Sequence, residues 1–153
     1  MVVNLYGETV HTLDDVCDIV TNRAMKNGFY ELRQNQNSRK QGFWLNPRPH
    51  VSTHDLPGIY SIFKGNTLEY IGKSDTSIGG RYSRFVKEVF HKSRSDEDFA
   101  AARKWRAWHG SNLDDCFVMF AEYYPHDEKI YGYDLLRIEN RLIQRHRPRM
   151  NIK

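Results

Sequence analysis

Apolar and polar positions in the first third of the chain predict one helix followed by an irregular segment. The stretch "HTLDDVCDIVTNRAMKNG" has apolar residues at helical spacing, with Thr12 as a candidate N-cap and Gly28 as its end. The stretch "RQNQNSRKQGFWLNPRPH" that follows is rich in Asn, Gln and Arg and contains two prolines. This composition favours a loop or an extended arm.

From residue 58 the pattern becomes that of a β-hairpin followed by helices and one more strand. The apolar β-formers of "GIYSIF" and "LEYIG" flank the turn "KGN". Helical patterns follow at "RYSRFVKEVFHK", which begins near Gly80, at "DEDFAAARKWRAWHG" and at "YGYDLLRIENRLIQRH", and a third strand is predicted at "DCFVMFAEYY". This order predicts an α+β domain with a small, mainly antiparallel, three-stranded sheet flanked by helices over residues 58–153. Residues 1–57 are predicted to add an N-terminal helix and a polar arm.

Length and composition narrow the class of protein. A chain of 153 residues with 39% apolar residues can bury the core of one compact domain. No apolar run approaches the roughly 20 residues that a membrane-spanning helix needs, and the N-terminus lacks the blocks of a signal peptide. We therefore expect an intracellular, cytoplasmic protein. Cys17 and Cys116 are too few for a disulfide framework or a structural zinc site.

Positive charge is concentrated towards the C-terminus. Residues 1–57 hold six Lys or Arg and six Asp or Glu, whereas the tail "RIENRLIQRHRPRMNIK" has six basic residues and one acid. Clustered basic charge attracts phosphates through counterion release, so nucleic acid is the expected partner class. The candidate DNA contacts are Arg84, Lys87, His91, Arg141 and Arg145.

One carboxylate interrupts the apolar face of the last helix. Leu135, Ile138 and Leu142 lie on that face at helical spacing, and Glu139 falls near its middle. Burying a carboxylate costs free energy unless something compensates its charge. Two interpretations follow: a buried ion pair with an arginine, or a carboxylate that lines a cleft and holds a divalent metal such as Mg²⁺.

The helix after the hairpin carries an arginine at the border of its apolar face. Arg81 lies beside Phe85 on the helical wheel and can reach back towards the sheet, although a guanidinium on a surface helix is the alternative interpretation. Arg84, Lys87 and Glu88 are predicted to point into solvent.

The order of these residues resembles the GIY-YIG nuclease superfamily, which includes homing endonucleases, restriction enzymes and the N-terminal domain of the excision-repair nuclease UvrC. The resemblance is carried by "GIY" at 58 to 60, "YIG" at 70 to 72, Arg81, Glu139 and Asn151. It implies a small antiparallel sheet with surrounding helices, and hydrolysis of DNA phosphodiester bonds with one Mg²⁺ or Mn²⁺.

The resemblance also implies a role for each residue. Glu139 binds the metal, which offsets the charge of the leaving oxygen, and Arg81 stabilises the negative charge that develops on the phosphoryl group. Tyr60 or Tyr70 orients or deprotonates the attacking water, and Asn151 braces the site.

The activation of tyrosine and the departures from the family pattern leave alternatives open. An ordinary tyrosine has a pKa of about 10, so Lys73, three residues after Tyr70, is the candidate cation that favours a phenolate. Arg84 is the alternative to Arg81, and His91 is a candidate for the histidine that many members place where Phe85 stands. DNA is the expected partner, bound by one copy of the chain or by a dimer. The alternative function is a non-catalytic DNA- or RNA-binding module that retains the nuclease fold.

Overall fold

The structure is a computed structural model that describes residues 2–3, 9–34, 42–90 and 99–152. Its elements in chain order are β1 (Val2–Val3), β2 (Thr9–Val10), α1 (Leu13–Asn27), β3 (Tyr30–Gln34), β4 (Phe43–Asn46), β5 (Gly58–Lys64), β6 (Thr67–Ser74), α2 (Ile78–Phe90), α3 (Ala100–His109), β7 (Cys116–Glu122), α4 (Pro125–Tyr131) and α5 (Leu135–His146). Two short 3-10 helices, Thr53–Asp55 and Arg149–Asn151, precede β5 and follow α5.

An antiparallel sheet with the strand order β4-β3-β7-β5-β6 forms the centre of the fold, and β1 and β2 form a separate pair. The predicted α+β class is confirmed, but the prediction of three strands is wrong because β3 and β4 extend the sheet to five. They pair with each other and β3 pairs with β7, with Tyr30 opposite Val118. The buried residues Leu32 and Leu45 lie opposite each other in this β3–β4 pair. The pair was not predicted because most of the neighbouring residues in the sequence are polar.

The two faces of the sheet support separate hydrophobic clusters. Alternation along β5 directs Tyr60 and Ile62 towards α2 and α3, where they pack with Tyr82, while Ile59 packs towards α1 and α5. Helix α1 thus packs on the sheet that β3 forms together with β5, β6 and β7. The predicted boundary at residue 57 lies between β4 and β5 of that sheet.

The helix ends follow local sequence signals. The Thr12 side chain accepts a hydrogen bond from the Asp15 N–H, Asp15 accepts one from the Thr12 N–H, and Gly28 ends α1 with φ at +110°. Helix α2 begins two residues before Gly80, and α4, which was not predicted, begins at Pro125, where proline's fixed φ suits a first helical position. In the described ranges no helix is long and apolar enough to cross a membrane.

Candidate active site

The β5–β6 hairpin brings its two tyrosines together on one face of the sheet. Tyr60 lies opposite Gly72, and Tyr70 lies opposite Ile62. The two phenol rings have centroids 6.2 Å apart, and their planes are tilted by 43°. Tyr60 is 2% exposed, whereas Tyr70 is only partly buried. The hairpin therefore presents one buried and one more accessible phenol.

The glycines of the two triplets make room for close contacts. A Cβ on Gly72 would lie 2.5 Å from the hydroxyl oxygen of Tyr60, so the Tyr60 ring occupies the space of the missing side chain. A Cβ on Gly58 would lie 2.0 Å from the carbonyl oxygen of Ala121 in the neighbouring strand. Tyr60 lies directly opposite Gly72, and Ala121 precedes Glu122, which lies opposite Gly58. Neither glycine position therefore has room for a side chain.

Two further elements complete the cluster. Arg81 comes from the first turn of α2, and Glu139 comes from the middle of α5. Against the larger effect of burial, the backbone N–H of Lys73 and the charges of Lys73 and Arg81 lower the pKa of Glu139, and the charges of Arg81 and Glu139 in turn act on both tyrosines. The structure thus brings Tyr60, Tyr70, Arg81 and Glu139 together from β5, β6, α2 and α5.

The environment favours the neutral forms of the acidic groups. Burial raises the pKa of Glu139, and the positive charges of Lys73 and Arg81 partly oppose this shift. Burial also raises the pKa of Tyr60 well above its usual value, with a further contribution from Tyr70. The pKa of Tyr70 is raised by burial and then by the Glu139 carboxylate. Both phenols therefore carry their protons at neutral pH in the free protein.

The ammonium of Lys73 does not lie beside the tyrosines, contrary to the sequence-based expectation. Lys73 lies opposite Ile59 on the other face of the hairpin, because three residues along a strand reverse the direction of the side chain. Its Nζ pairs with the Asp75 carboxylate at 2.8 Å. Lys73 instead reaches the cluster through its backbone N–H and its charge, both of which favour the ionised form of Glu139.

Asn151 supports the cluster from the edge of the sheet. Its Oδ1 accepts a hydrogen bond from the Ile71 N–H at 2.8 Å, and its Nδ2 donates one to the Ile71 carbonyl at 2.8 Å. These bonds satisfy the edge of β6 between Tyr70 and Gly72, as a neighbouring strand would. Asn151 therefore contacts the backbone of the site strand through its whole amide.

The predicted DNA contacts fall into two groups. Lys87 is exposed on α2, and Arg84 on the same helix donates to Glu88 at 3.0 Å. Arg141 and Arg145 point away from the site towards α1, where they form ion pairs. The prediction that Glu88 points into solvent is wrong, because Glu88 is only 8% exposed. Its carboxylate also accepts a hydrogen bond from the Phe99 N–H at 3.1 Å. His91 lies outside the described residues.

The ion pairs of Arg141 and Arg145 involve two acids one helical turn apart on α1. Arg141 binds Asp14 through Nε at 2.8 Å and Nη2 at 3.1 Å. Arg145 binds Asp14 and Asp18, each at 2.9 Å. These carboxylates neutralise the two arginines and reduce their attraction for phosphate.

Glu139 is the candidate ligand for a divalent metal. Within the described part of the chain no three His, Cys, Asp or Glu side chains converge into a metal-binding group. Glu139 offers one partly exposed carboxylate, and Asp75, the other carboxylate near it, is held by Lys73. Mg²⁺ is commonly bound by one or two carboxylates together with water and substrate phosphates, so Glu139 fits such a mode of binding.

An ionic cluster around the buried carboxylate of Glu69, next to Tyr70, was not predicted from the sequence. Glu69 is 1% exposed and accepts hydrogen bonds from Arg149 at 2.7 and 2.9 Å, with Nε2 of His109 at 3.3 Å. A glutamate between the apolar Leu68 and the aromatic Tyr70 was the available signal. Its partners could not be identified because they lie 40 and 80 residues away.

Comparisons of this chain with protein-family models, with curated proteins and with solved structures found no match. The relationship to the GIY-YIG superfamily therefore stays a prediction based on the residues that carry the resemblance.

Proposed function

We propose that this protein is a divalent-metal-dependent endonuclease of the GIY-YIG type that hydrolyses DNA phosphodiester bonds. The observation that carries this proposal is the convergence of Tyr60, Tyr70, Arg81 and Glu139 from four elements that are separated in sequence. Together these groups can serve phosphodiester hydrolysis, because the phenols can position a water, the guanidinium can stabilise developing negative charge and the carboxylate can hold a metal.

The surroundings of Glu139 favour this proposal over a structural role. In the described part of the chain no arginine forms a salt bridge or hydrogen bond with Glu139, and Arg81 acts on it through its charge alone. Burial raises its pKa, and only the Lys73 N–H and nearby positive charges favour its ionised form. A carboxylate kept in such a position costs stability, which is common for residues retained for chemistry.

Each residue has a distinct role in the proposed reaction. Arg81 stabilises the negative charge that develops on the phosphoryl oxygens, since a guanidinium donates several hydrogen bonds in fixed geometry. Tyr70, the more accessible phenol, orients the attacking water through its hydroxyl group, and the buried ring of Tyr60 packs beside it. Glu139 would hold the divalent cation, which offsets the charge of the leaving oxygen when it is bound.

The decisive experiment is cleavage of supercoiled plasmid by the wild-type chain and by Glu139→Gln, with Mg²⁺ or with a chelator. We expect nicked or linear products from the wild type with Mg²⁺, and a loss of rate of at least ~10²-fold in the variant. Asp114→Asn is a matched control, because Asp114 is an exposed acid in the loop before β7, at the opposite end of β5 from Gly58.

Thermal unfolding in chelator shows whether Glu139→Gln keeps the fold. The raised pKa means that ionisation of Glu139 lowers stability as pH rises above its ordinary value of 4.5. The neutral amide avoids this cost, so the variant should melt at the same temperature as the wild type or higher at pH 7. Supercoiled plasmid in every lane, together with retarded migration of DNA, would instead indicate the non-catalytic binding module.

A further inference from the structure

Strand β6 contains a β-bulge immediately before Tyr70. Phe63 lies opposite Leu68 and Ile62 lies opposite Tyr70, so Glu69 is an extra residue without a partner on β5. Because of this insertion Leu68 packs on the α1–α5 face of the sheet while Tyr70 packs on the α2–α3 face. In a regular strand the two side chains would share a face. The bulge therefore decides that Tyr70 points towards the candidate active site.

The bulged residue is held by the C-terminal 3-10 helix. Arg149 donates from Nε to Oε2 of Glu69 at 2.7 Å and from Nη2 to Oε1 at 2.9 Å, which is a two-point contact in fixed geometry. Two residues later Asn151 binds both backbone groups of Ile71. Glu69 and Ile71, the two neighbours of Tyr70, are thus both held by the same short helix.

Other contacts hold this helix and the guanidinium in place. Lys104 of α3 donates to the carbonyl oxygens of Met150 at 2.7 Å and of Ile152 at 2.8 Å. The Arg149 guanidinium also lies over the Trp108 ring, 4.2 Å from its centroid. Glu69 and the Trp108 ring therefore both hold the Arg149 guanidinium. Arg149 in turn holds Glu69, the bulged residue.

We propose that Glu69 and Arg149 are positioning residues that hold the bulge in β6 and thereby orient the phenol of Tyr70. This inference rests on the proposed function for its effect on cleavage, but the orientation of Tyr70 can be measured without activity. The Glu69 carboxylate is buried, whereas the Arg149 side chain is 53% exposed, and the two-point contact between them has a specific geometry. The expected consequence is a change in the site and not only in stability.

Arg149→Lys tests the geometry because it keeps the charge and loses the two-point contact. Glu69→Gln tests the same contact from the other side. Arg103→Lys is the matched control, since Arg103 is an exposed arginine on neighbouring α3. Each full-length variant is made with 3-fluorotyrosine at position 70 alone, and with 3-fluorotyrosine at Tyr123, on the other face of the sheet, as a reference.

Fluorine NMR and cleavage kinetics then give two separate readouts. We expect the Tyr70 resonance to shift or split in Arg149→Lys and Glu69→Gln while the Tyr123 resonance is unchanged, and kcat to fall ~10-fold to 100-fold with KM nearly constant. An unchanged Tyr70 resonance, or equal disturbance of both tyrosines with a matching loss of Tm, would overturn the inference. A wild-type chain that does not cleave DNA would refute the proposed function, whereas the Tyr70 resonance would still decide the positioning role.

Discussion

At the scale of single residues, Gly72 and Tyr60 depend on each other across the hairpin. The Tyr60 ring lies over Gly72 and contacts the Tyr70 and Tyr82 rings, with centroid distances of 6.2 and 5.5 Å. Tyr60 is almost completely buried, so its ring has little space into which it can move. A side chain at position 72 would therefore act directly on the phenol pair.

We expect Gly72→Ala to impair cleavage more than folding. The added Cβ forces the Tyr60 ring away, which should lower the free energy of unfolding by about 1–3 kcal/mol and kcat by roughly 10²-fold through misplacement of the phenols. Denaturant unfolding and plasmid cleavage measure the two effects. The control is Gly80→Ala on α2, whose new Cβ would be 3.7 Å from the nearest atom and should keep both properties. Wild-type activity in Gly72→Ala would exclude the phenol pair from the reaction.

At the scale of elements, an ion-pair ladder connects α1 with α5. Asp14 and Asp18 are one turn apart on α1, and Arg141 and Arg145 are one turn apart on α5, so the two pairs match along the contact. Helix α5 also carries Glu139 on a different side. The ladder thus contributes to the position of the helix that brings Glu139 to the site.

The ladder should give the protein a pH-dependent stability at low pH. Hydrogen bonds from Arg141 and Arg145 lower the pKa of Asp14 from 3.8 to about 2. A lowered carboxyl pKa stabilises the fold above the ordinary value, and this contribution is lost as pH falls towards 2. Tm should therefore be higher for the wild type than for Asp14→Asn at pH 7, with a difference that shrinks between pH 4 and pH 2. A difference that is the same at pH 7 and pH 2 would contradict the assigned role of the Asp14 charge.

At the scale of the whole molecule, the distribution of paired and unpaired charge indicates how DNA would approach. The basic tail contains Arg141 and Arg145, but α1 supplies the acids that neutralise them. Lys87 is exposed on α2, the helix that also carries Arg81, and it forms no salt bridge to the described residues. Under the proposed function, the DNA backbone should lie along α2 and not along the outer side of α5.

Salt-dependent DNA binding distinguishes these two surfaces. Lys87→Gln should weaken binding for all sequences and reduce the slope of log Kd against log salt by about one, as expected for the loss of one phosphate contact. Arg141→Gln should leave the slope unchanged, because the charge that it removes is already compensated by Asp14. A reduced slope for Arg141→Gln with no change for Lys87→Gln would place the DNA on α5 instead.

Local signals in the sequence determined most of the helices and the central hairpin. Thr12, Gly28 and Pro125 act on their immediate neighbours, so the ends of α1 and β7 could be predicted. Strand β3 could not, because it is stabilised by pairing with β7, which lies far away in the chain. The polar composition of "RQNQNSRKQGFWLNPRPH" predicted an arm. The pairing of Leu32 with Leu45 shows that β3 and β4 are strands, but this pairing exists only in the folded protein.

For the candidate site, the sequence by itself determined which residues carry the resemblance and that Glu139 interrupts an apolar face. Only the tertiary structure decided that Lys73 lies away from the phenols, that Arg141 and Arg145 are neutralised, and that Glu69 forms a bulge held by Arg149. The physical reason is the range of the interactions. Capping, turns and periodicity act within a few residues, whereas strand register, ion pairs between helices and the direction of a side chain depend on partners that the chain brings together only when it folds.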